Sequence, residues 1–341
     1  MVSRTGIAFF VAFVLLGLPL TLIAAGGGDE LARLQSAYRR PAKIPFPADN
    51  PYTNAKSSLG KMLFFDPRLS GSRTISCSTC HLPTRSWSDG LSHARGEDPA
   101  GMTLRSPTLI DVAFVEPLGW DGKFHDIEDV TFSPISSRLN MNMPKAELLT
   151  RLAAVPGYVS AFTEAFGDGA ITTQRIEQAL ATYERTIVAG DAPFDRWIRG
   201  DKKAISAEAK RGFLLFNGKA RCSGCHSGPS FTDGSFQDIG TATGNDIGRG
   251  RLFPNSEKLR YAFKTPTLRD IARRPPYMHD GSVATLQDVI ELYNKGGIDR
   301  PSRSPLIKPL FLTTDEKADL IAFLQTLTGS SPPEKPPALP E

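Results

Sequence analysis

Two short strings, Cys77-Ser-Thr-Cys80-His81 and Cys222-Ser-Gly-Cys225-His226, decide how this 341-residue chain is read. Each sets two thiols three positions apart and puts an imidazole directly after the second. C-x-x-C-H is the attachment pattern of haem c. The thiols add to the two vinyl groups of one porphyrin, and the adjacent imidazole reaches the iron, for which a neutral ring nitrogen is a good donor. A single copy could be half of a zinc site or a redox dithiol. Two copies use all four cysteines and two of the five histidines. A four-cysteine zinc site has no need of a histidine at both places, and a thioredoxin-like dithiol expects a βαβ context that this sequence lacks. Two covalently bound haems c are therefore expected. Cys77, Cys80, Cys222 and Cys225 are the attachment residues, and His81 and His226 the iron ligands.

The flanks repeat as well. CSTCHLPTRSWSDG opens at Cys77 and CSGCHSGPSFTDG at Cys222. Each follows a helical segment carrying Gly and Phe, Leu59–Phe65 and Lys210–Phe216. The separation of 145 residues between His81 and His226 implies two copies of one helical haem-binding unit. Apolar spacing predicts helices over residues 52–65, 145–166, 172–190, 206–217, 285–294 and 313–327. Residues 82–107 and 227–275 read as loop, and strand signals are few. The fold class is mainly α, with two cytochrome c-like helical domains and long loops. Their ranges are 51–195 and 196–330, with a plausible boundary over 191–205.

The ends have other duties. Met1 to Gly28 reads as a signal peptide or membrane anchor, with Arg4 before an apolar Ile7–Ala25 and small residues Ala24, Ala25 and Gly26 for cleavage. That address implies a periplasmic protein. Residues 29–50 read as a polar, Pro-rich lead-in, and 331–341 as a Pro-rich tail expected to be disordered. With 40 Lys and Arg against 36 Asp and Glu, the net charge is only +4 and no basic run stands out, which argues against nucleic acid as partner.

With these residues in view, the chain resembles the bacterial dihaem cytochrome c peroxidase family and its MauG-like branch. The matching strings are Leu59-Gly60-Lys61, Phe64 to Ser70, Ser106-Pro107-Thr108, Trp120-Asp121-Gly122, Phe194 to Trp197, Lys264 to Arg269, and Pro276 to Gly281. The resemblance implies that hydrogen peroxide meets the first haem while the second stores or relays electrons. It implies that Trp120 lies between the haems as a stepping stone for electrons. It places Tyr293 opposite His226, where ordinary family peroxidases have Met and MauG-like members have Tyr. An anionic phenolate lowers an iron's potential relative to a thioether. Met278 is the alternative ligand there, beside His279, which the family uses around the iron ligands. His93 is a candidate resting ligand at the first haem, although the family's own position is Glu97 here.

Other positions depart from the family. Its distal Gln and Glu fall on Val130 and Asn140. Val cannot move protons, and Asn has no titratable one but can hydrogen-bond a bound peroxide. Glu128 and His125 are nearby candidates for acid or base, and Met141 and Met143 are close enough for sulfur contacts. The family's interdomain calcium uses an Asn side chain and backbone carbonyls. Arg105 stands at the Asn position and Arg274 and Pro276 at the carbonyls, so a guanidinium can take the cation's place, with calcium the alternative. The exit tryptophan of one MauG-like route is replaced by Ala220, leaving Trp87 and Trp197 as other aromatics.

What these positions imply is a peroxide-dependent oxidoreductase with Trp120, Asn140 and Glu128 as catalytic candidates. The first reading is oxidation of Trp or Tyr residues on a partner protein. The second is a peroxide scavenger fed by a small cytochrome or cupredoxin. The third is a non-enzymatic electron-transfer or redox-sensing protein.

Overall fold

Side-chain caps and turn residues set where the helices begin. The computed structural model describes residues 22–330 and 332–341. Most of the proposed export segment therefore lies outside the described residues. Helix α1 (Leu22–Ala37) forms a unit by itself, apart from Tyr38–Glu341. It runs into residues read as the polar, Pro-rich lead-in, because Glu30 to Ala37 carry no proline and place Leu31 and Leu34 on one helical face. Among the described residues no helix is long and apolar enough to cross a membrane.

The first half is built on α2 (Asn54–Phe65), the single turn α3 (Cys77–Cys80), α4 (Ile127–Ser136), α5 (Lys145–Ala153), α6 (Pro156–Phe166) and α7 (Thr173–Arg185). The second uses α8 (Pro193–Ile198), α9 (Ala207–Asn217), α10 (Leu286–Lys295) and α11 (Thr314–Gln325). Thr53, Asp126, Thr172, Ser206, Thr285 and Thr313 each accept a backbone N–H of the first turn, the usual way to satisfy orphan donors there. The one helix expected over 145–166 is two. Pro156 has no N–H to continue α5, and Val155 before it is extended. Helix α4 was not anticipated, since Pro134 and several polar residues blur its periodicity. The only strands among the described residues are β1 (Phe236–Gln237) and β2 (Phe263–Lys264), antiparallel, with Phe236 opposite Lys264.

The internal repeat is plain in the packing. Helix α2 crosses α7 at Gly60, which lies against the Ala179 carbonyl, and α9 crosses α11 at Gly212, against the Asp319 carbonyl. A Cβ on either glycine would occupy the space of that backbone, so only Gly permits the close crossing. Around the first crossing Leu59, Leu63, Phe64, Leu180 and Tyr183 are buried. Around the second, Phe194, Phe213, Phe216, Phe231 and Phe323 form an aromatic core, with Phe216 and Phe323 centroids 5.1 Å apart. A buried ion pair braces it: Arg269, with no exposed side-chain surface, donates to both Asp195 oxygens at 2.9 and 3.0 Å.

The tail is ordered along the first half, contrary to expectation. Glu334 accepts from Tyr183 at 3.1 Å and pairs with Lys61 at 2.5 Å. Arg68 donates to the Pro340 carbonyl at 2.9 Å, and Gly157 N to the Glu341 carbonyl at 3.1 Å. Prolines have little backbone freedom to lose, so a few polar anchors hold such a strap.

Candidate functional site

Both C-x-x-C-H strings face one continuous cavity of about 650 Å³. In each, a short turn presents the thiols and a following loop orients the histidine. The Nδ1 of His81 lies 3.2 Å from the Trp87 carbonyl, and that of His226 lies 2.9 Å from the Phe231 carbonyl. A carbonyl can only accept, so Nδ1 carries the proton in both rings and Nε2 keeps its lone pair. Burial pushes both imidazoles below the usual histidine range, which keeps them neutral. A neutral ring whose other nitrogen is anchored to a carbonyl is what an iron ligand requires.

The four cysteines are free. Burial pushes Cys80 and Cys222 up to about 12 and Cys225 to about 11, and raises Cys77 as well. Among the described residues no three His, Cys, Asp or Glu converge as a metal site. The wall also carries cations, two of them buried. Arg105, Arg274 and Lys264 line the cavity, and burial lowers Lys264 to about 8 and Arg274 to about 10. These are suitable partners for carboxylates on a bound porphyrin. The donor set therefore fits two haems c.

The repeat extends to the faces opposite the histidines. Antiparallel bridges Leu118–Phe124 and Tyr277–Val283 close equivalent turns around Trp120 and His279. Thr108 and Thr267 each donate at 2.6 Å to the equivalent carbonyls of Ser86 and Ser230. Helices α4 and α10 then follow, and their eighth residues are Pro134 and Tyr293. Tyr293 lines the cavity with Cys222, Cys225 and His226, and its hydroxyl has no hydrogen-bond partner among the described residues. Burial raises its pKa, with the two nearby cysteines adding to the effect. Pro134 lines the cavity at the first site and has no donor atom to offer an iron.

Other expected residues fall in several places. Trp120 lines the cavity between the two halves; its Nε1 donates to the Arg105 carbonyl at 2.9 Å, and its ring meets His279 edge-on at 6.4 Å. His279 stacks on Phe263 at 3.6 Å and bonds Asp246 at 2.6 Å. Asn140, Val130, Met141, Met278 and Ala220 line the cavity. Glu128 does not. Arg185 donates to both its oxygens at 2.6 Å, Asn50 to one at 2.8 Å, and although burial works the other way these bonds hold its carboxyl below the ordinary range. It is a committed ion-pair member rather than a free acid. His93 and His125 are exposed. Arg105 donates to the Arg274 carbonyl at 3.1 Å and to Ser88 at 3.3 Å, so a guanidinium holds one of the two carbonyls expected around a cation. Sequence reading missed Glu184. It lines the cavity near Cys77, has no hydrogen-bond partner for its carboxylate among the described residues, and is raised by burial to about 8. Only its place on the inner face of α7 could have signalled it.

Comparison with known proteins agrees with this chemistry. Residues 54–203 match the family model for di-haem cytochrome c peroxidase. The methylamine utilization protein MauG of Methylorubrum extorquens is 47% identical over 94% of this chain and 91% of its own length. A cytochrome-c peroxidase of Denitromonas iodatirespirans is 36% identical over 85% of each. Among solved structures, a MauG-like protein associated with microbial copper homeostasis superposes with a TM-score of 0.80 at 30% identity, covering 86% of this chain and 95% of that one.

Proposed function

Since the chain belongs to the dihaem cytochrome c peroxidase family, in which it is most similar to MauG proteins among the relatives above, we propose that it uses hydrogen peroxide to oxidise tryptophan or tyrosine side chains of a partner protein by long-range electron transfer. When bound, the two haems supply the redox chemistry with peroxide. His81 would hold the first iron, and Pro134, which has no side-chain donor, would leave room for peroxide there. Asn140 offers an amide to the bound peroxide. Trp120 provides an aromatic step between the sites. His226 and Tyr293 would hold the second iron. The export segment at Met1–Gly28 supports a periplasmic setting.

The observation that carries this reading is Tyr293, unpartnered in the cavity beside Cys222 and Cys225. An anionic oxygen donor favours the oxidised metal over the reduced one. A site so ligated is suited to sharing oxidising equivalents and poorly suited to accepting electrons from a small donor protein. The test is one equivalent of hydrogen peroxide added to the diferric protein, followed optically and by electron paramagnetic resonance. A persistent two-electron-oxidised protein is expected, and Tyr293→Met is expected to shorten its life. Steady turnover with a cytochrome donor and no persistent state would instead mark a scavenger, and no spectral change an electron-transfer protein.

A further inference from the structure

Tyr183 sits where no step of the proposed function uses it. It lies on α7, 2% exposed, in an aromatic group with Phe64 and Trp87. Its ring meets Phe64 edge-on at 5.3 Å and Trp87 at 6.4 Å, and those two meet at 5.8 Å. Trp87 is the residue whose carbonyl orients His81. Cys77 packs against the buried cluster that holds Tyr183. One end of this residue therefore adjoins the first site.

The other end leads to solvent. The phenol donates to Glu334 on the C-terminal strap at 3.1 Å, and Lys61 holds the same carboxylate at 2.5 Å. The Glu334 side chain keeps 35% of its surface exposed. Burial, then the Glu334 charge, raises the phenol's pKa, so Tyr183 remains a neutral O–H donor. Removing an electron alone from a buried phenol would leave a cation in an apolar core, at high cost. A carboxylate at hydrogen-bond distance removes that cost by taking the proton as the electron leaves. Lys61 keeps this carboxylate in place, and its exposed edge lets the proton continue to water.

We propose that Tyr183 is a redox-active tyrosine that gives one electron to the peroxide-oxidised first site while its phenolic proton passes to Glu334. The balance is simple. Hydrogen peroxide takes up two electrons and two protons to become two waters. Tyr183 supplies one of those electrons; its O–H bond breaks, and a new O–H forms on Glu334, leaving a neutral tyrosyl radical. The other electron comes from a small one-electron reductant of the enediol or phenol class. A second molecule of that reductant, arriving at the Glu334 face, restores Tyr183. This goes beyond the reading above and needs only that peroxide oxidises the dihaem centre, with no partner protein present.

The experiment is freeze-quench electron paramagnetic resonance of the full-length, haem-loaded protein after one equivalent of peroxide, without partner. Wild-type protein is expected to show a tyrosyl signal that narrows when the protein is grown on ring-deuterated tyrosine. The signal should vanish in Tyr183→Phe and fall several-fold in Glu334→Gln, while both variants keep the wild-type haem spectrum. An undiminished signal in Tyr183→Phe, an unchanged yield in Glu334→Gln, or no tyrosyl signal in wild type overturns the proposal. Partner oxidation without the signal defeats this inference alone. The signal without partner oxidation defeats the proposed function alone.

Discussion

Replacing Asp195 by Asn tests the brace beneath the second site. Asp195 is 1% exposed, accepts Arg269 with both oxygens, and also accepts the Ala192 N–H at 3.1 Å. Arg269 is wholly buried, donates to the Pro229 carbonyl at 2.8 Å, and lies 5.1 Å from the centre of the Phe231 ring. Asparagine keeps the shape and one acceptor oxygen, but leaves a guanidinium charge without a counterion in the core. Removing one member of a buried pair costs about 3–5 kcal/mol. The other carboxylate whose charge acts on Arg269 is Asp111, which is itself engaged with Arg40 at 3.2 Å, so little relief is available. The upper part of that range is expected. Guanidinium unfolding of the haem-loaded protein, read by both the haem band and tryptophan fluorescence, measures it. Because Phe231 orients His226, the haem spectrum should change at a lower denaturant concentration than in wild type. The double variant Asp195→Leu, Arg269→Met removes both charges, and should recover most or all of the single variant's loss, about 3 kcal/mol or more. A single-variant loss below about 1 kcal/mol, the level of an exposed pair, or a double variant no better than the single, would refute the reasoning.

Three further outcomes follow from the same geometry. Gly60→Ala or Gly212→Ala forces the crossing helices apart and should cost about 1–3 kcal/mol, whereas Gly167→Ala, whose added Cβ meets nothing within 4 Å, should cost less despite its positive φ; equal losses in a denaturation series would contradict this. Glu184 has its carboxyl raised from 4.5 to about 8 by burial, so the folded protein holds a proton there that the unfolded chain releases between those values. Stability therefore falls as pH rises through that window, by at most about 5 kcal/mol in total. Glu184→Gln should flatten the decline between pH values of about 5 and 8, measured as unfolding midpoints across that range; identical slopes would exclude Glu184 as its source. Pro134→Tyr should give the first site a phenol as Tyr293 does at the second, and slow its reaction with peroxide in stopped flow, a result contradicted by an unchanged rate.

Much of the fold was legible because its signals are local. Caps at Thr53, Ser206 and Thr313 and the apolar spacing of α7 and α11 appear in the sequence within a residue or two of the observed helix starts. Helix α4 was hidden because Pro134 usually ends a helix, yet here it sits in the last turn, where few hydrogen bonds remain to be lost. The strap was misread because low complexity suggests disorder, while its anchors, Tyr183, Lys61, Arg68 and Gly157, are distant in sequence. The haem-attachment pattern depends on adjacent residues and could be read directly. Whether a carboxylate is free depends on its partners, so Glu128, claimed by Arg185, and Glu184, left alone at the cavity wall, could not be told apart from sequence.

The matched eighth residues of α4 and α10 have a consequence for how two like halves differ. A duplicated module need not invent a second architecture to acquire a second duty. One half carries a ring with no side-chain donor at this position, and the other a ring that ends in a hydroxyl. Two like halves can therefore be given different duties through the choice of cyclic side chain at one matched helical position.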